Sequence, residues 1–141
     1  MATERYYSCK CEELTYPANL FDALLDFSKA APSCKKCGRK ELHVVFHFGL
    51  EGGNPDCKVL AVYIPRRLGS WRRKDHAKVT FVPFLVILKN DDGAKTCWLP
   101  YWHVVERKGK RERKYGQWAP YVNQTEFVSL LEKARKAGHL L

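Results

Sequence analysis

Val82-Pro83-Phe84-Leu85-Val86-Ile87-Leu88-Lys89-Asn90-Asp91-Asp92-Gly93-Ala94-Lys95-Thr96-Cys97-Trp98-Leu99-Pro100-Tyr101-Trp102 carries the clearest structural signal in the chain. Two hydrophobic runs flank a cluster of Asn, Asp and Gly, residues that accept the backbone angles of a tight turn. Residues 82–89 and 95–102 are therefore predicted to pair as an antiparallel hairpin. Pro100 has no N–H to give to a ladder, so a break or a sheet edge is expected there.

Working outward toward the N-terminus, Val79 to Leu88 and Cys57 to Ile64 are apolar at both parities, the pattern of central strands covered on both faces. Leu42, Val44, Phe46, Phe48 and Leu50 alternate with His43, Val45 and His47, which predicts a strand with one dry face. Leu20, Phe21, Leu24, Leu25 and Phe27 recur at helical spacing between Pro17 and Pro32, giving a short amphipathic helix over 19–30.

Toward the C-terminus, Arg107-Lys108-Gly109-Lys110 reads as the tip of a second hairpin joining Trp102–Glu106 to Arg111–Gly116. Asn123 with Glu126 three residues later resembles a capping box, and Gly138 stands where a helix ends. Phe127, Leu130, Leu131 and Ala134 are expected to form the core-facing stripe of that helix, with Lys133, Arg135 and Lys136 complementing its dipole. The fold class is α+β: a mainly antiparallel sheet, an N-terminal zinc-knuckle segment containing a short helix, and a C-terminal helix. At 141 residues the chain reads as a single domain, with the zinc-knuckle part at 1–50, a basic antiparallel sheet at 51–120 and the helix at 121–141.

Composition narrows the function classes. Hydrophobic residues are 45% and charged residues 28%, as in ordinary globular proteins, which excludes disordered and collagen-like chains. The longest apolar run, Phe81 to Leu88, falls far short of the ~20 residues of a membrane span. The first seven residues lack the apolar centre of a secretory signal, so the expected compartment is reducing, cytoplasmic or nuclear.

Six cysteines divide into two close pairs, Cys9 with Cys11 and Cys34 with Cys37, plus the isolated Cys57 and Cys97. The two-residue spacing of Cys34-Lys35-Lys36-Cys37, followed by Gly38, lets two thiolates converge on one ion. Cys9 and Cys11 would leave a strand from the same side. Four thiolates complete a tetrahedral shell without an open position, so the expectation is a structural Zn²⁺ held by Cys9, Cys11, Cys34 and Cys37 in a ribbon-like site. Buried thiols, or a redox pair at Cys34 and Cys37, are the competing readings. Cys57 and Cys97 sit among Val, Leu and Trp and read as buried apolar thiols.

The formal net charge of +10 is unevenly distributed. Residues 1–57 carry seven basic and eight acidic groups, 58–118 carry fifteen and five, and 119–141 carry three and two. The excess therefore lies entirely in the middle segment, in two runs. Arg66, Arg67, Arg72, Arg73 and Lys74 form the first, around Trp71 in an expected loop. Arg107, Lys108, Lys110, Arg111, Arg113 and Lys114 form the second, followed by Tyr115. Such runs attract polyanions, and aromatic rings beside them offer faces on which unpaired bases stack. The expected partner is DNA or RNA, contacted through Arg66, Arg67, Trp71, Arg72, Arg73, Lys74, Lys108, Lys110, Arg111, Arg113, Lys114 and Tyr115. Contacts to phosphates from loops carry little base information, so low sequence specificity is expected. Trp98 and Trp102, by contrast, are expected in the core.

Two other readings use the same residues. An assembly subunit would turn its basic face to an acidic protein partner, without nucleic acid. A metal-dependent nuclease would pair Asp56 with Glu112 and Lys114 around Mg²⁺, but these lie 56 residues apart with no further acidic cluster. His43 and His47, four residues apart in a strand, stand about 13 Å apart and cannot chelate one ion.

Overall fold

The computed structural model describes residues 2–8, 12–15, 18–30, 42–47, 56–116 and 121–140. Along the chain they form β1 (Ala2–Ser8), β2 (Glu12–Thr15), α1 (Ala18–Phe27), β3 (His43–His47), β4 (Asp56–Tyr63) and β5 (Ser70–Arg72). These are followed by β6 (Lys78–Pro83), β7 (Leu85–Lys89), β8 (Lys95–Trp98), β9 (Tyr101–Arg107), β10 (Lys110–Tyr115), β11 (Tyr121–Asn123) and α2 (Gln124–Lys136). The class is α+β, with two antiparallel sheets and two helices.

The larger sheet runs β11-β8-β7-β4-β3-β1-β2 and the smaller runs β10-β9-β6-β5. Their shared feature is the hairpin expected from residues 82–102. Lys89 faces Lys95 across the Asn90–Ala94 turn, which closes through the Asn90 N–H bond to the Ala94 carbonyl at 2.8 Å, with Gly93 at φ +85°. Further along, Val86 faces Trp98 in the larger sheet and Val82 faces Trp102 in the smaller. The change of sheet happens on both chains at once. Pro83-Phe84 on one arm lies opposite Pro100-Tyr101 on the other, and the Phe84 N–H bonds to the Pro100 carbonyl at 2.9 Å. Each arm carries a proline that cannot donate, Pro83 level with Tyr101 and Pro100 level with Phe84, so the ladder breaks at adjacent levels and the hairpin bends.

The expected break at Pro100 is thus present, but Val79 to Leu88 is two strands in two sheets rather than one central strand. Likewise β4 is central in its sheet yet covered on one face. Cys57, Val59 and Val62 are buried, while a register shift between Val59 and Ala61 leaves Leu60 and Tyr63 at the surface. Apolar residues at both parities marked the position of the strand; burial of the second face needed a covering layer, which the exposed Leu60 and Tyr63 do not have.

One core joins both sheets to α1. Leu20, Phe21 and Leu24 of the helix pack with Val86, Leu88 and Trp98 of the larger sheet and Val82, Trp102 and Val104 of the smaller. At the bend Phe21, Phe84 and Trp102 meet edge to face, with ring centroids 5.4–5.8 Å apart. Trp98 and Trp102 are core residues, as expected. The dry face of β3 is borne out at Leu42 and Val44, both buried.

α2 starts as its sequence predicts: the Glu126 N–H donates to Asn123 Oδ1 at 3.2 Å, and Gly138 adopts φ +83° after the last turn. Its apolar stripe does not face the core. No α2 side chain is buried, and Leu130 is 60% exposed. The helix follows directly on β11, the edge strand, and contributes no residue to the core cluster. Among the described residues no helix is long and apolar enough to cross a membrane.

Candidate functional site

The smaller sheet gathers eight of the 25 basic side chains at one end. Both of its hairpin connections lie there, because β5 and β6 close through Arg73–Ala77 just beyond the Arg72–Lys78 pair, and β9 and β10 close through Lys108-Gly109 just beyond Arg107–Lys110. The second connection is a two-residue turn with both residues at positive φ, Lys108 at +42° and Gly109 at +80°, as a right-twisted hairpin requires. Glycine takes such angles freely and lysine does not, so Lys108 is held at a strained position at the tip. In the first connection the Arg73 N–H bonds to the Ala77 carbonyl at 2.9 Å, and His76 takes the left-handed angle at φ +66°.

Register then brings the two basic runs together. Arg72, Lys78, Glu106 and Arg111 face one another in a single row across all four strands. With Lys108 and Lys110 they line a concavity of about 390 Å³. A second hollow, of about 510 Å³, lies between the connections and is lined by Asp75, His76, Arg107 and Lys108.

Asp75 fastens the two tips to each other. Its carboxylate lies 3.0 Å from Arg107 and 3.5 Å from Arg73, and the Ala77 N–H donates to its Oδ1 at 3.2 Å. That N–H, with the two guanidiniums, holds the carboxyl below the usual carboxylate range. Arg72 donates from Nη1 to the His76 carbonyl at 3.1 Å, which ties its guanidinium to the β5–β6 connection. Glu106 is 3.9 Å from Arg111. Lys74, Lys78, Lys108 and Lys110 have no ion-pair partner among the described residues. Their charge faces solvent and any polyanion in it.

The other sequence-predicted residues fall elsewhere. Arg66 and Arg67 precede β5 at its opposite end, beyond Gly69, whose carbonyl accepts from the Phe81 N–H. Trp71 lies in edge strand β5 rather than in a loop and is 48% exposed, as expected for its side chain. Arg113 and Tyr115 point to the core side. Arg113 pairs with Asp22 of α1 at 2.9 Å and lies over the Phe21 ring, 5.0 Å from its centroid. Tyr115 packs edge to face on Trp102 at 4.9 Å. Lys114, at the opposite parity, lies 3.9 Å from Glu112.

Sequence reading missed Lys78, Arg107 as a ligand group and His103. The alternation of β9 was the available signal: Tyr101, His103, Val105 and Arg107 share one face. Asp56 and Glu112 lie in different sheets, and Asp56 bonds His43 Nδ1 at 3.1 Å. Cys57 and Cys97 are buried and unbonded to each other; burial pushes the Cys97 thiol up, and the Cys57 thiol donates to Asn90 Oδ1 at 3.2 Å. Cys9, Cys11, Cys34 and Cys37 lie outside the described residues, although Ser8 and Glu12 on either side of the first pair face each other in the β1–β2 ladder. No protein-family model, curated protein or solved structure matches the chain.

Proposed function

We propose that the chain binds nucleic acid by its phosphates at the paired hairpin tips of the smaller sheet. The observation that supports this is the row Arg72–Lys78–Glu106–Arg111, in which the two basic runs, 33 or more residues apart along the chain, become neighbours in one concavity. Around it, among the described residues, Arg73, Lys74, Arg107, Lys108 and Lys110 outnumber the carboxylates of Asp75 and Glu106. A cluster of this kind releases counterions when phosphates replace them, and it grips a backbone without reading bases.

Fluorescence anisotropy with a labelled oligonucleotide over a range of salt concentrations tests the proposal. Log affinity falls linearly with log salt, and Lys110→Ala or Arg111→Ala lowers the slope by about one. Arg113→Ala leaves the slope unchanged, because that guanidinium is engaged with Asp22. Polyglutamate binding as tightly as the oligonucleotide at equal salt would turn the reading toward an acidic protein partner.

The same proposal includes a structural Zn²⁺ on Cys9, Cys11, Cys34 and Cys37. Its support is the spacing of the cysteines together with the Ser8–Glu12 pairing, which leaves three residues to link two adjacent strands. One zinc per chain by elemental analysis is expected, lost in Cys34→Ser; a metal-free wild-type protein purified without chelator would remove it.

A further inference from the structure

The face of the smaller sheet turned away from the core carries its own pattern. Strand register places Trp71, Phe81, Tyr101 and His103 on that face, opposite in parity to the buried Val82, Trp102 and Val104. The four rings touch in a continuous group. Trp71 and His103 are 5.8 Å apart and nearly perpendicular, His103 and Phe81 are 5.7 Å apart, and Phe81 and Tyr101 are 5.4 Å apart. Large rings are usually drawn inside, yet Trp71 ends the group on an edge strand at 48% exposure while its neighbours are half-buried.

Charge flanks the rings on the same face. Lys114 stands directly beside His103 across the β9–β10 ladder, and the Arg107–Lys110 pair lies four pairs nearer the tips, with Val105–Glu112 between them on the same face. Arg107, Lys110 and Lys114 therefore share a face with the rings, while Arg72, Lys78 and Arg111 project from the other face of the same strands, which are spaced ~4.8 Å apart.

We infer that this aromatic face is a base-stacking platform and that the nucleic acid held at the tips is single-stranded. The inference rests on the phosphate-binding reading above and adds the state of the bases. In a duplex each base presents its flat faces to its own neighbours, leaving only edges in the grooves; a sheet surface reaches those flat faces only when the bases are unpaired. The backbone follows Lys114, Lys110 and the tips, and one or two bases lie against Trp71 and His103. Sequence preference is weak, since every base has a face to stack.

Full-length protein, wild type and the Trp71→Ala and His103→Ala variants, is titrated at one ionic strength with three labelled ligands: single-stranded oligo(dT), a duplex of the same length, and an abasic strand with the same phosphates. Wild type is expected to bind oligo(dT) at least tenfold more tightly than the abasic strand. Trp71→Ala loses about tenfold on oligo(dT) and nothing on the abasic strand, and its salt slope is that of wild type. Circular dichroism of both variants guards against misfolding, and His103→Ala repeats the test from the neighbouring strand. Equal binding of abasic strand and oligo(dT), equal binding of duplex, or no loss in either variant would overturn the platform while leaving phosphate binding intact. Absence of binding to any of the three at low salt would overturn the phosphate reading itself.

Discussion

Asp75 sits as a single carboxylate between Arg73 and Arg107, with Lys74 next in sequence and Lys108 across the hollow. Its lowered titration makes a signed prediction. A depressed carboxyl contributes stability that is fully present above its unfolded value, near pH 4, and is lost as pH falls through the lower folded value. Asp75→Asn keeps the oxygen that accepts from the Ala77 N–H but removes the charge, so its melting temperature is below wild type at pH 7 and the gap closes toward pH 2. A gap of constant size over that range would assign the loss to shape. The same variant frees two guanidiniums and binds oligonucleotide a few-fold more tightly, a gain in affinity from a loss in stability. At this scale the sequence was partly legible: the basic runs were visible as composition, whereas the role of Asp75 depends on two turns meeting. Arg113 shows the converse, since nothing in Arg111-Glu112-Arg113-Lys114 distinguishes the residue that α1 claims through Asp22 from those left to solvent.

Among the elements, β10 and α2 show how periodicity alone is insufficient. Alternation along β10 splits one basic run between two faces: Arg111 and Arg113 share the side of Trp102, while Lys110 and Lys114 share the side of His103. The count of charges was readable from the sequence; their division needed the register against β9. In α2 the helical spacing of Phe127, Leu130, Leu131 and Ala134 was correct, yet only an opposing surface turns a stripe into a core. A helix of 13 residues held by its cap and dipole, without a buried side chain, opens locally. Amide hydrogen exchange is therefore expected to be orders of magnitude faster across 124–136 than at Val86 and Leu88 of β7, whose side chains are fully buried. Equal protection in the two elements would show that α2 is held by more than its ends. At β5, a three-residue strand of Ser, Trp and Arg has too little pattern to be told from a loop, and only its ladder with Thr80, Val79 and Lys78 defines it.

For the whole molecule, the turn at Asn90–Ala94 and the flanking apolar runs identified the central hairpin to the residue, because a five-residue connection with Asp and Gly leaves few registers open. The change of sheet was not legible, since Val, Ile and Phe read alike in either sheet and the two prolines announce a break without giving its direction. That bent hairpin also governs the route by which the chain assembles. Its four strands each accept one outer neighbour: β5 on β6, β10 on β9, β4 on β7 and β11 on β8. β3, β1 and β2 then add in turn beyond β4. Residues 78–107 need no remote segment to form their own ladder, so they act as the template for growth in both directions. During synthesis β1 to β4 emerge first and ladder only with one another, and the larger sheet gains β7, β8 and β11 once that template leaves the ribosome.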